Sequence, residues 1–173
     1  PSGRDLHLLD QHKVMCPESG VLTGFHLERP SEETISYSFG CQPLPESGAV
    51  HEHHTGFNDD GRGSMIFLDR HHVMAPDGHA LKGFHLNRSA DGKQFRITFW
   101  SQELIGMTLG DVVKQTTMLN EDGTVDFGRK HLIYLGRHDV QVGPRAVLKG
   151  FHLTHSGTED KIQYEYWVQT LVL

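Results

Sequence analysis

Apolar and polar residues alternate with a period of two through three stretches of the chain: Ile35-Ser36-Tyr37-Ser38-Phe39, Phe95-Arg96-Ile97-Thr98-Phe99 and Ile162-Gln163-Tyr164-Glu165-Tyr166. That period sends successive side chains to opposite faces of a strand. It predicts half-buried strands whose core faces hold Ile35, Tyr37 and Phe39; Phe95, Ile97 and Phe99; and Ile162, Tyr164 and Tyr166. Gly, Pro, Asn and Asp punctuate the runs between them, and no run shows a helical period, so the expected fold class is all-β.

Upstream of each stretch stands the same phrase, at Gly24-Phe25-His26-Leu27, Gly83-Phe84-His85-Leu86 and Gly150-Phe151-His152-Leu153. Further upstream, Leu9 to Cys16, Leu68 to Ala75 and Leu135 to Val142 align without gaps. The chain is therefore an internal triplicate, with copies at approximately 4–44, 63–104 and 130–171 in one domain spanning 1–173. Each copy reads as three strands: one ending near Cys16, Ala75 or Val142, one carrying the Gly-Phe-His-Leu phrase, and one ending at Cys41, Ser101 or Val168. The glycine of the phrase suggests a bulge or a close backbone approach.

Phe57-Asn58-Asp59-Asp60-Gly61 resembles Leu119-Asn120-Glu121-Asp122-Gly123, which predicts a fourth strand and an Asp-Gly hairpin turn before the second and third copies. The first copy has no such piece. Either the tail Thr170-Leu171-Val172-Leu173 fills its place or an edge is left open.

Composition changes this picture little. The 173 residues, 36% of them hydrophobic and 22% charged, suit one soluble globular domain. A formal charge of −6 argues against nucleic acid as the main partner. Fourteen histidines could reverse that sign on acidification. An N-terminal Pro1 suggests processing or a fragment of a larger extracellular assembly.

Cys16 and Cys41 occupy slots whose counterparts are Ala75 with Ser101 and Val142 with Val168, so both positions change character together. One tight contact accommodates all three pairs. A Cys16–Cys41 disulfide is expected, and with it an oxidising, secreted setting, the alternative being two buried free thiols. The same alternation turns Val14, Val73 and Val140 inward, together with His12, His71 and His138.

Three equivalent inward histidines could form an open His₃ metal site for zinc or another divalent ion, with Asp10 and Asp69 orienting the imidazoles. The competing reading is that each His is tied locally, as buried polar groups must be. Gly136 breaks the Asp pattern in the third copy. The His of the repeated phrase faces the other way and reads as a local tie. His51-Glu52-His53-His54 is a weaker metal candidate. Trp100 and Trp167 lie opposite the core residues, beside Arg96 and Gln163, which suits sugar or lipid-headgroup contact. Asn87-Arg88-Ser89 is a glycosylation sequon if the chain is secreted. No nucleophile elbow, phosphate loop or HExxH occurs, and no catalytic residue is assigned.

The layout Cys16-Pro17, Gly24-Phe25-His26-Leu27 and a return strand ending at Cys41 resembles three-repeat β-prism proteins. Vitelline membrane outer layer proteins look similar, and more loosely the C-terminal β-rich domain of apicomplexan perforin-like proteins. The resemblance implies three antiparallel sheets about a pseudo-threefold axis, with secreted matrix, carbohydrate-binding or peripheral membrane-binding roles; a β-trefoil is the alternative fold. The expected function is a secreted, non-catalytic module that binds glycan or lipid headgroups without a cofactor. The alternative is a metalloprotein built on His12, His71 and His138.

Overall fold

The computed structural model describes residues 6–31, 34–46, 48–59, 65–121, 135, 138–156 and 161–172. The first copy contributes β1 (Val14–Met15), β2 (Gly20–Ser31) and β3 (Thr34–Pro43). β4 (Val50–His54) and β5 (Asn58–Asp59) lead into the second copy, which holds β6 (Val73–Met74), β7 (His79–Arg88) and β8 (Gln94–Glu103). β9 (Thr108–Thr116) and β10 (Asn120–Glu121) lead into the third, with β11 (Val140–Gln141), β12 (Ala146–Ser156) and β13 (Lys161–Val172). The protein is all-β, and its three sheets are antiparallel throughout.

The copies close on one another in a ring. β1 pairs with the second copy's hairpin, Val14 opposite Phe84; β6 pairs with the third copy's, Val73 opposite Phe151; and β11 returns to the first copy's, Val140 opposite Phe25. Each sheet is thus shared between two copies. Gly24, Gly83 and Gly150 permit this, because a Cβ there would lie 2.3, 2.4 and 2.2 Å from the carbonyl oxygens of Val140, Val14 and Val73. The hairpin register also shifts just before each of these glycines, so both the bulge and the close approach expected of them are present.

Ring closure brings the three phenylalanines of the repeated phrase together. Phe25, Phe84 and Phe151 meet edge to face at centroid separations of 5.0, 4.9 and 4.8 Å, a geometry aromatic rings prefer. Val14, Val73 and Val140 are fully buried beside them. A second apolar layer joins Val21, Ala80 and Val147 to Leu44, Leu104 and Leu171. Cys16 and Cys41 form the expected disulfide, with Cα atoms 5.8 Å apart, tying the end of β1 in one sheet to β3 in another.

Three expectations need correction. The segment before each short strand is not extended: Leu6–Gln11 and Met65–Arg70 are 3-10 turns, and His12, His71 and His138 donate their backbone N–H to Leu9, Leu68 and Leu135 three residues back. That three-residue spacing buries each Leu beneath the sheet and was hidden under an apparent alternation. Second, the fourth strand exists as expected, as β4 with β5 along β8 and β9 with β10 along β13, and of the two alternatives for the first copy's counterpart the one that uses the C-terminal tail falls. Leu171 and Val172 instead continue β13 against β9. Third, Phe39 is 40% exposed although Phe99 and Tyr166, its counterparts, are 6% and 8% exposed, because no described strand covers β3. The Asp60-Gly61 and Asp122-Gly123 turns, and Gly136, lie outside the described residues.

Candidate functional site

Two of the inward histidines, His71 and His138, are seated by threonines. Thr55 follows β4, exchanges backbone and side-chain bonds with Ile97, and places its hydroxyl 2.6 Å from His71 Nδ1. Thr117 follows β9 and repeats the arrangement with Tyr164, its hydroxyl 2.8 Å from His138 Nδ1. Burial, reinforced by the Arg70 charge, holds the His71 imidazole down at a pKa of about 4, so it is neutral at pH 7. Among the described residues no threonine hydroxyl meets His12 in this way. His12 is only half-buried and its imidazole has no hydrogen-bonding partner among the described residues.

A small cavity of about 20 Å³, room for about one water molecule, lies between the phenylalanine trio and these histidines, lined by His12 and His71 among apolar groups. Among the described residues, no group of three or more His, Cys, Asp or Glu side chains could hold a metal ion. The aspartates do not orient the inward imidazoles. In the 3-10 turns their backbone carbonyls serve the next copy instead: His85 Nε2–H donates to Asp10 O and His152 Nε2–H to Asp69 O, both at 2.6 Å. In the second and third copies the histidine of the repeated phrase is therefore a tie to the preceding copy. The His51 and His53 rings lie 6.4 Å apart; His53 Nε2 meets Ser101 Oγ at 2.9 Å and His51 packs on His79.

Two lysines make a second set of ties. Lys82 Nζ donates to the carbonyls of Glu18 and Gly20 and to Gln102, and Lys149 Nζ donates to the carbonyls of Pro76 and His79. Burial lowers both ammonium pKa values. Each lysine thus clamps the loop after the preceding copy's short strand. A sequence signal was present, since Leu-Lys-Gly recurs at 81–83 and 148–150, where the first copy reads Leu22-Thr23-Gly24.

The outward faces of two sheets carry the remaining candidate chemistry. On β8, the indole N–H of Trp100 donates to Glu52 at 3.1 Å and the Lys13 ammonium sits 4.6 Å over its ring. A polar chain runs on from there. Glu52 lies 3.3 Å from His54 Nε2, and His54 Nδ1 meets the Thr98 hydroxyl at 3.0 Å. Thr98 donates to the Asn87 carbonyl oxygen, and the Asn87 amide lies 3.3 Å from His85. Asn87, the sequon residue, is therefore half-buried on a strand with both ends of its amide engaged.

On β13, Trp167 stacks under His72 at 4.7 Å, and His72 stacks on His152 at 5.2 Å. Glu165 accepts from Lys114 at 2.9 Å and lies 3.7 Å from His152 Nδ1. The Lys114 hydrogen bond holds the Glu165 carboxyl below its ordinary pKa. Burial, and the neighbouring His152, lower His72.

Lys13 and His72 are equivalent positions, so the two faces are variants of one design. Both tryptophans are half-buried with one ring face covered, which narrows the open aromatic platform expected of them. Arg96 and Gln163 lie on the same strand faces but four residues from the tryptophans, about 13 Å along a strand. Arg96 is held over Phe57 at 4.6 Å instead. In the third sheet Gly40 replaces the tryptophan, and the face carries the His26–Glu28 contact at 3.9 Å.

Compared with protein-family models, curated proteins and solved structures, the chain matches none of them.

Proposed function

We propose that the protein is a non-catalytic recognition module of the secreted kind, binding carbohydrate through the outward faces around Trp100 and Trp167. The observation that carries this reading is the paired construction: each face sets a half-buried indole among a carboxylate, an imidazole and a Lys ammonium. Such a set offers donors and acceptors to sugar hydroxyls around an aromatic edge. The Cys16–Cys41 disulfide supports an oxidising compartment, where such modules act. The polar faces need no cofactor for this role.

A glycan array, with vesicles of zwitterionic and anionic lipid as a second arm, tests the proposal. The expected result is glycan binding that Trp100→Ala and Trp167→Ala each weaken, with no gain on vesicles. Binding to vesicles alone would transfer the faces to lipid headgroups. Failure on both surfaces would overturn the reading.

A further inference from the structure

We propose that His51 and His79 form a surface site for a divalent transition-metal ion of the zinc class, bound by the two imidazoles with water completing its coordination. His51 on β4 and His79 on β7 approach each other from either side of β8, the strand between them, over Ser101. Two strand spacings separate β4 from β7, about 10 Å. The small, fully buried Ser101 leaves the two rings room to meet above it, at a centroid separation of 5.0 Å and a tilt of 57°. Two imidazoles that bind one tetrahedral ion through Zn–N bonds of about 2.0–2.1 Å have their centroids about 5 Å apart. The tilt lets both ring edges turn toward one point. His72 and His152 lie at a similar 5.2 Å but stack face on face at 15°, and His152 Nε2 is already committed to Asp69 O.

The surroundings suit a metal ligand. The Ser101 hydroxyl meets His79 Nδ1 at 3.2 Å, which fixes the ring and leaves Nε2 for the ion, as partners of the second nitrogen do at metal-bound histidines. His79 is also held at its backbone, its N–H donating to Pro76 O and its carbonyl accepting from Lys149. Burial, and then the His51 charge, lower the His79 pKa, so the imidazole is neutral at pH 7, the form a metal needs. Glu103, opposite His79 in the hairpin, counters the Lys149 charge at the site. His53 stands beside the pair, 6.4 Å from His51 with Nε2 turned to Ser101, and is not one of the ligands. The fold does not require these histidines. In the third copy Val113, Val168 and Ala146 take the places of His51, Ser101 and His79, and the same strands still pair; in the first, Cys41 and Gly20 take the places of Ser101 and His79. The inference does not rest on sugar binding, because His51 points away from the face that carries Glu52 and Trp100.

Zinc chloride titrated into the intact, untagged, oxidised protein at neutral pH tests the site, with calorimetry and imidazole NMR spectra as readouts and no glycan present. Saturable one-to-one binding at submillimolar zinc is expected, and the His51 and His79 imidazole resonances should be the first to shift. His51→Gln and His79→Gln should each weaken zinc binding by about tenfold or more, while His26→Gln on the third sheet should leave it unchanged. Magnesium, which takes oxygen ligands, should not compete. The absence of saturable binding up to millimolar zinc overturns the proposal. So does binding that either His51→Gln or His79→Gln keeps at full strength, or a titration that shifts His71 and His138 in place of His51 and His79.

Discussion

Replacing Gly150 by Ala probes how closely the copies approach one another. The new Cβ would sit 2.2 Å from Val73 O and 2.9 Å from Met74 Cα, about 1 Å inside ordinary contact with that oxygen. Both clashing atoms are backbone, so β6 must back away from β12. That movement breaks the pairing of Phe151 with Val73 and of Gly150 with Met74, and stretches the 2.8 Å bond from Ala75 N to Lys149 O. Losing two to three backbone bonds at about 1 kcal/mol each, less roughly 0.4–1 kcal/mol gained by restricting the unfolded chain, leaves a net cost of about 2 kcal/mol. In urea that lowers the unfolding midpoint by about 1 M for a slope near 2 kcal/mol per M. Gly143, whose Cβ would meet nothing within 4 Å, is the control; Ala there should be neutral or slightly stabilising. A Gly150→Ala protein within about 0.5 kcal/mol of the parent would refute the close approach of β6.

The exposure of Phe39 predicts an asymmetry between equivalent residues: Phe39→Ser should cost under about 1 kcal/mol and Phe99→Ser about 3 kcal/mol or more, read by urea unfolding, because the two are 40% and 6% exposed. Equal costs would count against it. Reducing the Cys16–Cys41 bond, with its 25-residue separation, should destabilise the fold by about 3 kcal/mol through the freed unfolded chain, seen as a lower urea midpoint with reductant present. His71 gives a pH signature. Its folded pKa of about 4 lies below the unfolded 6.5, so the unfolded chain binds the extra proton first; the contribution is complete above pH 6.5 and is lost as pH falls toward 4. Equilibrium unfolding should show a decline on the order of 2 kcal/mol across that window. Replacing His71 by Gln should flatten it, and an unchanged slope would contradict the assignment. Thr55→Val should cost about 2 kcal/mol, since it strips a partner from the Ile97 N–H and from His71 together.

What the chain revealed on reading alone was whatever depends on alternation and on comparison of the copies. Eight of the nine expected core positions of the third strands, the Cys16–Cys41 bond and the fourth strand all follow from period-two patterning or from matched substitutions. The 3-10 turns did not show, because Leu9 and His12 satisfy a helical spacing of three as readily as their neighbours satisfy alternation. Exchange of the short strands between copies left no local mark at all. Val14 would be equally apolar against its own hairpin, and only the glycine at each contact hints at how near another backbone comes. Thr55 and Thr117 were legible in principle: each stands two residues before the matched Phe57-Asn58 and Leu119-Asn120. Their different distances from His71 and His138 hid the correspondence. Phe39 was read as core from alternation, and the reading failed because burial of its counterparts depends on β4 and β9, whereas no described strand covers β3.

Cyclic closure rests most heavily on the return of β11 from the third copy to the first, where Gln141 faces Gly24 and Val142 N–H donates to Thr23 O at 2.8 Å. In solution NMR this register places the α-protons of Gln141 and Gly24 in direct contact, matching those of Met15 with Gly83 and Met74 with Gly150. A strong cross-strand effect between Gln141 and Gly24 is the expected result. Its absence, with Val140 and Gln141 contacting the Gly150–Phe151 stretch of their own copy instead, would contradict the ring.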